Sequence, residues 1–205
     1  MTTTVAAFDV DGTVTRRDCV VPFMRMVTGA RRVVPRLAAR PDRLLPVLAR
    51  RDRDELKALA AAAAFRGIPE DELLRHGATF AAKVHDTGLR ADTVTQLREH
   101  LVAGDRVVFV SASFEVYLRP LGDLLGVDAV LGTRLQIRDG VATGALEGQN
   151  CRGAEKVRRL HEWLRRLDVD RNLARVVAYG DSAGDRELLG DADEAHWLTP
   201  DGRTA

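Results

Sequence analysis

The sequence predicts an α/β fold: a doubly wound, mostly parallel Rossmann-like sheet with a helical cap inserted after the first strand. Three observations carry this expectation. Apolar runs of strand length, at 5–10, 107–110 and 176–179, read as strands buried on both faces, and each ends in a polar cluster. Helical periodicity takes over from about Thr15 to Gly88. Beyond Gly88 strand and helix alternate, as they do in a sheet covered by crossover helices.

In chain order, Val5 to Val10 forms the first strand and runs into Asp11-Gly12-Thr13. Within the helical block, Val20, Phe23, Met24 and Val27 share one face, and Leu56, Leu59, Ala60 and Ala63 share another. The alanine run from Ala60 to Ala64 suits a helix. Leu73, Leu74, Phe80 and Val84 follow Pro69, a residue fitted to a first helical turn. Breaks are expected near Gly29, Pro35, Pro41, Pro46 and Gly67. A helix over 93–101 precedes the strand 107–110, and a helix over 114–125 precedes a hairpin over 133–145 that turns at Asp139-Gly140. The amphipathic helix 155–167 turns Val157, Leu160, Trp163 and Leu164 inward; the strand 176–179 and a last strand over 195–198 complete the sheet. The expected domains are a catalytic core of 1–14 and 89–205 and a cap of 15–88.

Composition sets bounds on function. A hydrophobic content of 45% and a charged content of 30% suit a soluble globular protein. No stretch approaches the roughly 20 apolar residues of a membrane span. Met1 to Thr4 leads straight into the first strand and leaves no room for a signal peptide. Cys19 and Cys151 lie far apart without metal-ligand spacing and read as reduced thiols, so a cytoplasmic location is expected. A net charge of +1 gives no reason to expect nucleic acid. The charge is uneven, however: from Arg16 to Lys57 twelve basic residues stand against five acidic ones. Arg32, Arg36 and Arg40 recur every four residues, which reads as a solvated helix face, with a patch for anionic partners as the alternative. The five histidines show no ligand spacing and read as surface or boundary residues, and Trp163 and Trp197 read as core aromatics.

The chemistry lies in the polar clusters. In open α/β sheets ligands gather beyond the carboxyl ends of the strands. The clusters 9–13, 111–113 and 180–185 converge there if their strands are parallel neighbours. Asp9 and Asp11, two residues apart, share a face if the strand continues regularly. Asp181 and Asp185 add negative charge, and such an oxygen-rich site suits magnesium. A carboxylate there can attack phosphorus, splitting hydrolysis into two easier steps. Ser111 supplies a hydroxyl and, with Ala112 before a helix start, backbone N–H groups for phosphate oxygens. Taken singly, an Asp-x-Asp-Gly is a turn signal and Ser113 an N-cap. Their occurrence in order, each behind a buried-strand run, points to a site.

Phe8-Asp9-Val10-Asp11-Gly12-Thr13-Val14-Thr15 resembles the first motif of the haloacid dehalogenase-like phosphatases, Val110-Ser111-Ala112-Ser113 the second, and Gly180 to Asp185 the fourth. The helical insertion resembles the cap of the phosphoserine phosphatase-like branch. The stretch from Asn150 to Val157 is similar to the segment before its third-motif helix. The resemblance implies Asp9 as nucleophile and Asp11 as general acid and base. It implies magnesium held by Asp9, the Asp11 carbonyl and Asp181, with Asp185 in support. Ser111 and the third-motif lysine would bind the phosphoryl group; Lys156 fits that role, and Arg152 is the other basic residue of the segment. Asp18 stands where the branch carries a substrate-facing glutamate, one methylene longer. Arg66 in the cap is a further candidate for a substrate carboxylate.

The expected activity is magnesium-dependent hydrolysis of a small phosphorylated metabolite. A dehalogenase would lack Asp11, a P-type ATPase has threonine there and needs membrane spans, and a receiver domain lacks the insertion. A phosphotransferase differs only in the acceptor. A non-catalytic regulatory binding module that contacts a partner through its basic cap is the reading from another class.

Overall fold

In this computed structural model, residues 3–29, 35, 41–50 and 53–199 are described. Their strands are β1 (Thr3–Phe8), β2 (Arg106–Phe114), β3 (Ala129–Arg138), β4 (Val141–Glu147), β5 (Ala174–Gly180) and β6 (Glu194–Trp197), in the order β4-β3-β2-β1-β5-β6. All neighbours are parallel except β3 and β4. That hairpin turns at Asp139 (φ 50°) and Gly140 (φ 71°), the two left-handed positions that a type I′ turn demands. The expected doubly wound α/β sheet is therefore the observed one.

Strand periodicity explains the two-sided core. Ala6, Phe8, Val107, Phe109, Val177 and Tyr179 point to one face, while Val5, Ala7, Val108, Val110, Val176 and Ala178 point to the other. The first face is covered by α5 (Ala91–Ala103) and α6 (Glu115–Leu125), the second by α7 (Ala154–Arg166) and α8 (Arg186–Asp191). Register then sets the position of the site. Phe8 pairs with both Phe109 and Tyr179, so the polar clusters that follow these three residues begin at one level. They open beside the switch in strand order between β1 and β5.

Between β1 and β2 the chain forms α1 (Val20–Thr28), α2 (Pro41–Arg50), α3 (Arg53–Phe65) and α4 (Glu70–Thr87) before α5. Of these, α1, α3 and α4 join the first face of the sheet through a run of rings: Phe23 lies 4.8 Å from Tyr117, Phe80 lies 5.2 Å from Tyr117, and Phe65 lies 5.2 Å from Phe114. Gly77 lets α4 approach α6, since a Cβ there would overlap the Val116 carbonyl. No helix among the described residues is long and apolar enough to cross a membrane.

Several local expectations are corrected. Pro46 sits inside α2, while Pro41 opens that helix as proline can at a first turn. The strand β2 continues through Ser111 to Phe114, and its helix starts only at Glu115. On α3 the fully buried residues are Ala61, Ala64 and Phe65, whereas Leu56, Leu59 and Ala60 are half-buried. At this helix Gly144 lets β4 come close, since a Cβ there would meet Ala62 and Arg66. Leu74 is exposed, and Trp163 and Trp197 are half-buried at the margin of the second core face. The spacing of Arg32, Arg36 and Arg40 falls outside the described residues.

Candidate active site

Asp9 follows the last residue of β1, and its N–H is held by the Tyr179 carbonyl at 2.9 Å. The chain then turns sharply. The N–H groups of Thr13, Val14 and Thr15 all reach the Val10 carbonyl, at 3.2, 2.9 and 2.9 Å. Asp11 thus lies in a turn, and the regular strand that would have put it on one face with Asp9 stops at Phe8. Gly12 makes the turn possible. Its φ is 85°, and a Cβ there would collide with the carboxylate of Asp181. Thr13 Oγ1 donates to Asp181 Oδ1 at 3.1 Å and fixes it against the first cluster.

Lys156 ties the remaining acids together. From the first turn of α7 its Nζ reaches Asp9 Oδ1 and Asp185 Oδ1, each at 2.5 Å, with all three residues buried. Arg152 lies beside Gly184 in the same cleft, whereas Lys156 makes the direct contacts to Asp9 and Asp185. Asp185 is positioned by Ser182, whose N–H and Oγ donate to its Oδ2 at 2.9 and 2.7 Å. Asp9, Asp181 and Asp185 can each offer an oxygen within 4.8 Å of the others. Ser111 is buried on β2, and its Oγ accepts from Ser113 N at 3.2 Å.

The electrostatics follow from burial and pairing. Burial raises Asp9 to about 7, with Lys156 pulling down and Asp185 pushing up. Burial raises Asp11 to about 6 against the hydrogen bond from Ser113. Burial also raises Asp181. For Lys156 burial opposes the charge, but Asp9 and Asp185 outweigh it and hold the ammonium above its ordinary value. Lys156 pairs with Asp9 and Asp185 and makes no such pair with Asp11 or Asp181, while Lys57 and Arg152 also line the cleft. The donors are all carboxylate oxygens, the set a hard divalent cation prefers.

Asp18 lies at the mouth of the cleft, where its Oδ1 accepts from Val20 N at 2.9 Å and Val21 N at 3.3 Å, capping α1. Arg66 is exposed beside Gly144 of β4 and is not part of the cleft. Sequence reasoning missed Lys57. Its Nζ donates to the Ala112 carbonyl, to Asn150 Oδ1 at 2.9 Å and to Thr133 Oγ1 at 3.4 Å, and burial lowers it to about 8. Asn150 in turn donates to Asp54 Oδ1 at 2.6 Å, so α3 is tied to Asn150 from two positions and to Ala112 from one. A single lysine within an apolar helical stretch was the available signal. The whole cleft encloses ≈ 610 Å³, with Asp9, Asp11, Ser111, Lys156, Asp181 and Asp185 on its floor.

The sequence model of the haloacid dehalogenase-like hydrolases matches residues 6–190. The chain belongs to the haloacid dehalogenase-like hydrolase family. It is 35% identical to the Caulobacter vibrioides protein CicA over 195 residues, covering 93% of this chain and 83% of that one. It is 30% identical to a phosphoserine phosphatase of Halobacterium salinarum over 211 residues, covering 96% and 86%. Its fold matches the crystal structure of a Bordetella pertussis protein of unknown function with a TM-score of 0.71 and 26% identity, covering 93% and 87%. Within the haloacid dehalogenase-like hydrolases it resembles the phosphoserine phosphatase-like branch, as its motifs implied.

Proposed function

We propose that this enzyme is a magnesium-dependent phosphohydrolase that cleaves a small phosphomonoester through an aspartyl phosphate on Asp9. One observation carries the reading: Asp9 and Asp185 meet on Lys156 at 2.5 Å, and Asp181 offers an oxygen within 4.8 Å of both. The site thus combines a nucleophilic carboxylate, a cation and a set of oxygen donors. Asp9, the Asp11 carbonyl and Asp181 would hold magnesium, with Asp185 supporting it. When bound, the ion supplies positive charge to the phosphoryl oxygens and screens the carboxylates from them.

In the first step a carboxylate oxygen of Asp9 forms a bond to phosphorus while the bond from phosphorus to the alcohol oxygen breaks. The carboxyl of Asp11 gives its proton to the departing oxygen, so a neutral alcohol leaves. In the second step Asp11, now a carboxylate, takes a proton from water as the water oxygen attacks phosphorus. The bond to Asp9 breaks, inorganic phosphate leaves, and both acids return to their starting states. A value of about 6 at Asp11 suits a group that must act as acid and then as base near neutrality. Ser111 and the N–H of Ala112 hold the phosphoryl oxygens, Lys156 balances their charge, and Asp18 faces the leaving group at the mouth. The buried free thiols Cys19 and Cys151 suit a reducing, cytoplasmic setting.

Release of phosphate from p-nitrophenyl phosphate tests the proposal. Turnover is expected with magnesium, and its loss both with a chelator and in Asp9→Asn. Turnover that survives either change would overturn the mechanism.

A further inference from the structure

The lining of the cleft includes an apolar strip, with the charged Arg16, Arg17, Asp18, Asp54 and Arg152 also lining it. Val20, Val21 and Met24 of α1 and Leu56 and Ala60 of α3 form the strip. Positions 20 and 24, like 56 and 60, are about one turn apart, so each helix offers a strip roughly 6 Å long. Leu56 is half-buried, and Val20, Met24 and Ala60 line the cleft while also packing against the core. Val21 is 50% exposed and has no core role to explain it. Lys57, the neighbour of Leu56, turns into its knot instead. An ammonium has three protons, and Ala112, Thr133 and Asn150 take them, leaving none for a substrate carboxylate. Arg16 and Arg17 line the cleft only as exposed residues.

We infer that the leaving alcohol is apolar: the substrates are phosphomonoesters of alkyl or aryl alcohols whose hydrocarbon part lies along Val20, Val21, Met24, Leu56 and Ala60. The inference rests on the phosphohydrolase reading and adds the substrate class to it. Burying hydrocarbon against this strip favours longer chains, whereas the serine zwitterion and the ethanolamine cation lose hydration there and meet charged groups, Asp18, Arg16 and Arg17, only where these are exposed and screened by solvent.

The test compares kcat/KM with magnesium for ethyl, butyl, hexyl and octyl phosphate, phosphoserine and phosphoethanolamine. The expected rise is roughly two- to fourfold per methylene from ethyl to butyl, with phosphoserine and phosphoethanolamine below butyl phosphate. A rise that stops by hexyl indicates soluble esters, and one that continues through octyl indicates lipid phosphates. Val21→Asp flattens the series and Val21→Thr flattens it partly, with thermal melting confirming that both variants fold. A flat series, or a preference for phosphoserine, overturns the inference while the phosphohydrolase reading stands. If no ester is turned over, that reading fails instead, and calorimetric titration of the same six phosphates into the wild-type protein decides about the strip: affinity that climbs with chain length supports it, and constant affinity overturns it.

Discussion

Ser113 donates a 2.5 Å hydrogen bond to Oδ2 of Asp11 across 102 residues of sequence. The bond joins the second strand tip to the first and favours the charged form of a carboxylate that burial drives towards its acid. The other oxygen, Oδ1, is buried without a hydrogen-bond partner among the described residues.

Ser113→Ala is expected to lower kcat about tenfold and to move the acidic limb of its pH profile upward by about one unit, because a hydrogen bond to a charged group is worth about 1.5–3 kcal/mol. The sign follows from the role of the bond: without it Asp11 holds its proton to higher pH, and the base needed in the second step appears later. Steady-state rates from pH 5 to 8 check this, and an unchanged limb counts against the assignment of Asp11.

Gly12→Ala should weaken magnesium binding at least tenfold, measured by calorimetry, with a stability cost of about 1–2 kcal/mol from the left-handed backbone alone. The added methyl collides with the Asp181 carboxylate and must displace it. Unchanged affinity would remove Asp181 from the ligand set.

Lys156→Met leaves Asp9 and Asp185 facing each other, buried and unpaired. Breaking a buried pair in this way costs about 3–5 kcal/mol. Urea denaturation in chelator should show that loss, and magnesium should restore part of it by supplying the missing positive charge. A loss indifferent to magnesium would separate the lysine site from the metal site.

Lys57 gives a prediction of opposite sign. Burial lowers it from 10.5 to about 8, so between these values the unfolded chain binds more protons than the folded one. Native stability therefore gains from this residue as pH rises from about 8 to 10.5, and the cost of holding the charged form is greatest below 8. Lys57→Met should abolish the gain. The difference in unfolding free energy between wild type and variant, followed over that range, should change by a few kcal/mol at most. A constant difference would mean that the ammonium is well solvated.

The parts of the fold that were readable from sequence are those governed by short-range periodicity. Val5 to Phe8 and Val176 to Tyr179 are apolar without interruption because both faces are covered, and their polar ends fall where parallel pairing to β1 brings them level. Asp9, Asp181, Asp185 and Lys156 converge for that reason. The turn at Asp11 was not readable as a strand-face relation, since three N–H groups on one carbonyl fold the chain where alternation would have continued. Nor was the knot at Lys57, because its partners Ala112, Thr133 and Asn150 lie 55, 76 and 93 residues away along the chain. Leu56 and Ala60 fit a core stripe by spacing, and Ala60 does pack against the core, but both also line the cleft.

The ring ladder from Phe23 through Tyr117 to the sheet bears on how the chain comes apart. Because the inserted helices α1, α3 and α4 share the first-face core with the sheet, among the described residues they belong to no core cluster apart from it, and their loss uncovers that face. Calorimetry should accordingly record one melting event, with calorimetric and van't Hoff enthalpies in agreement. A fragment holding only the strands and their covering helices should be prone to aggregate, since Tyr117 and Phe114 would then face water.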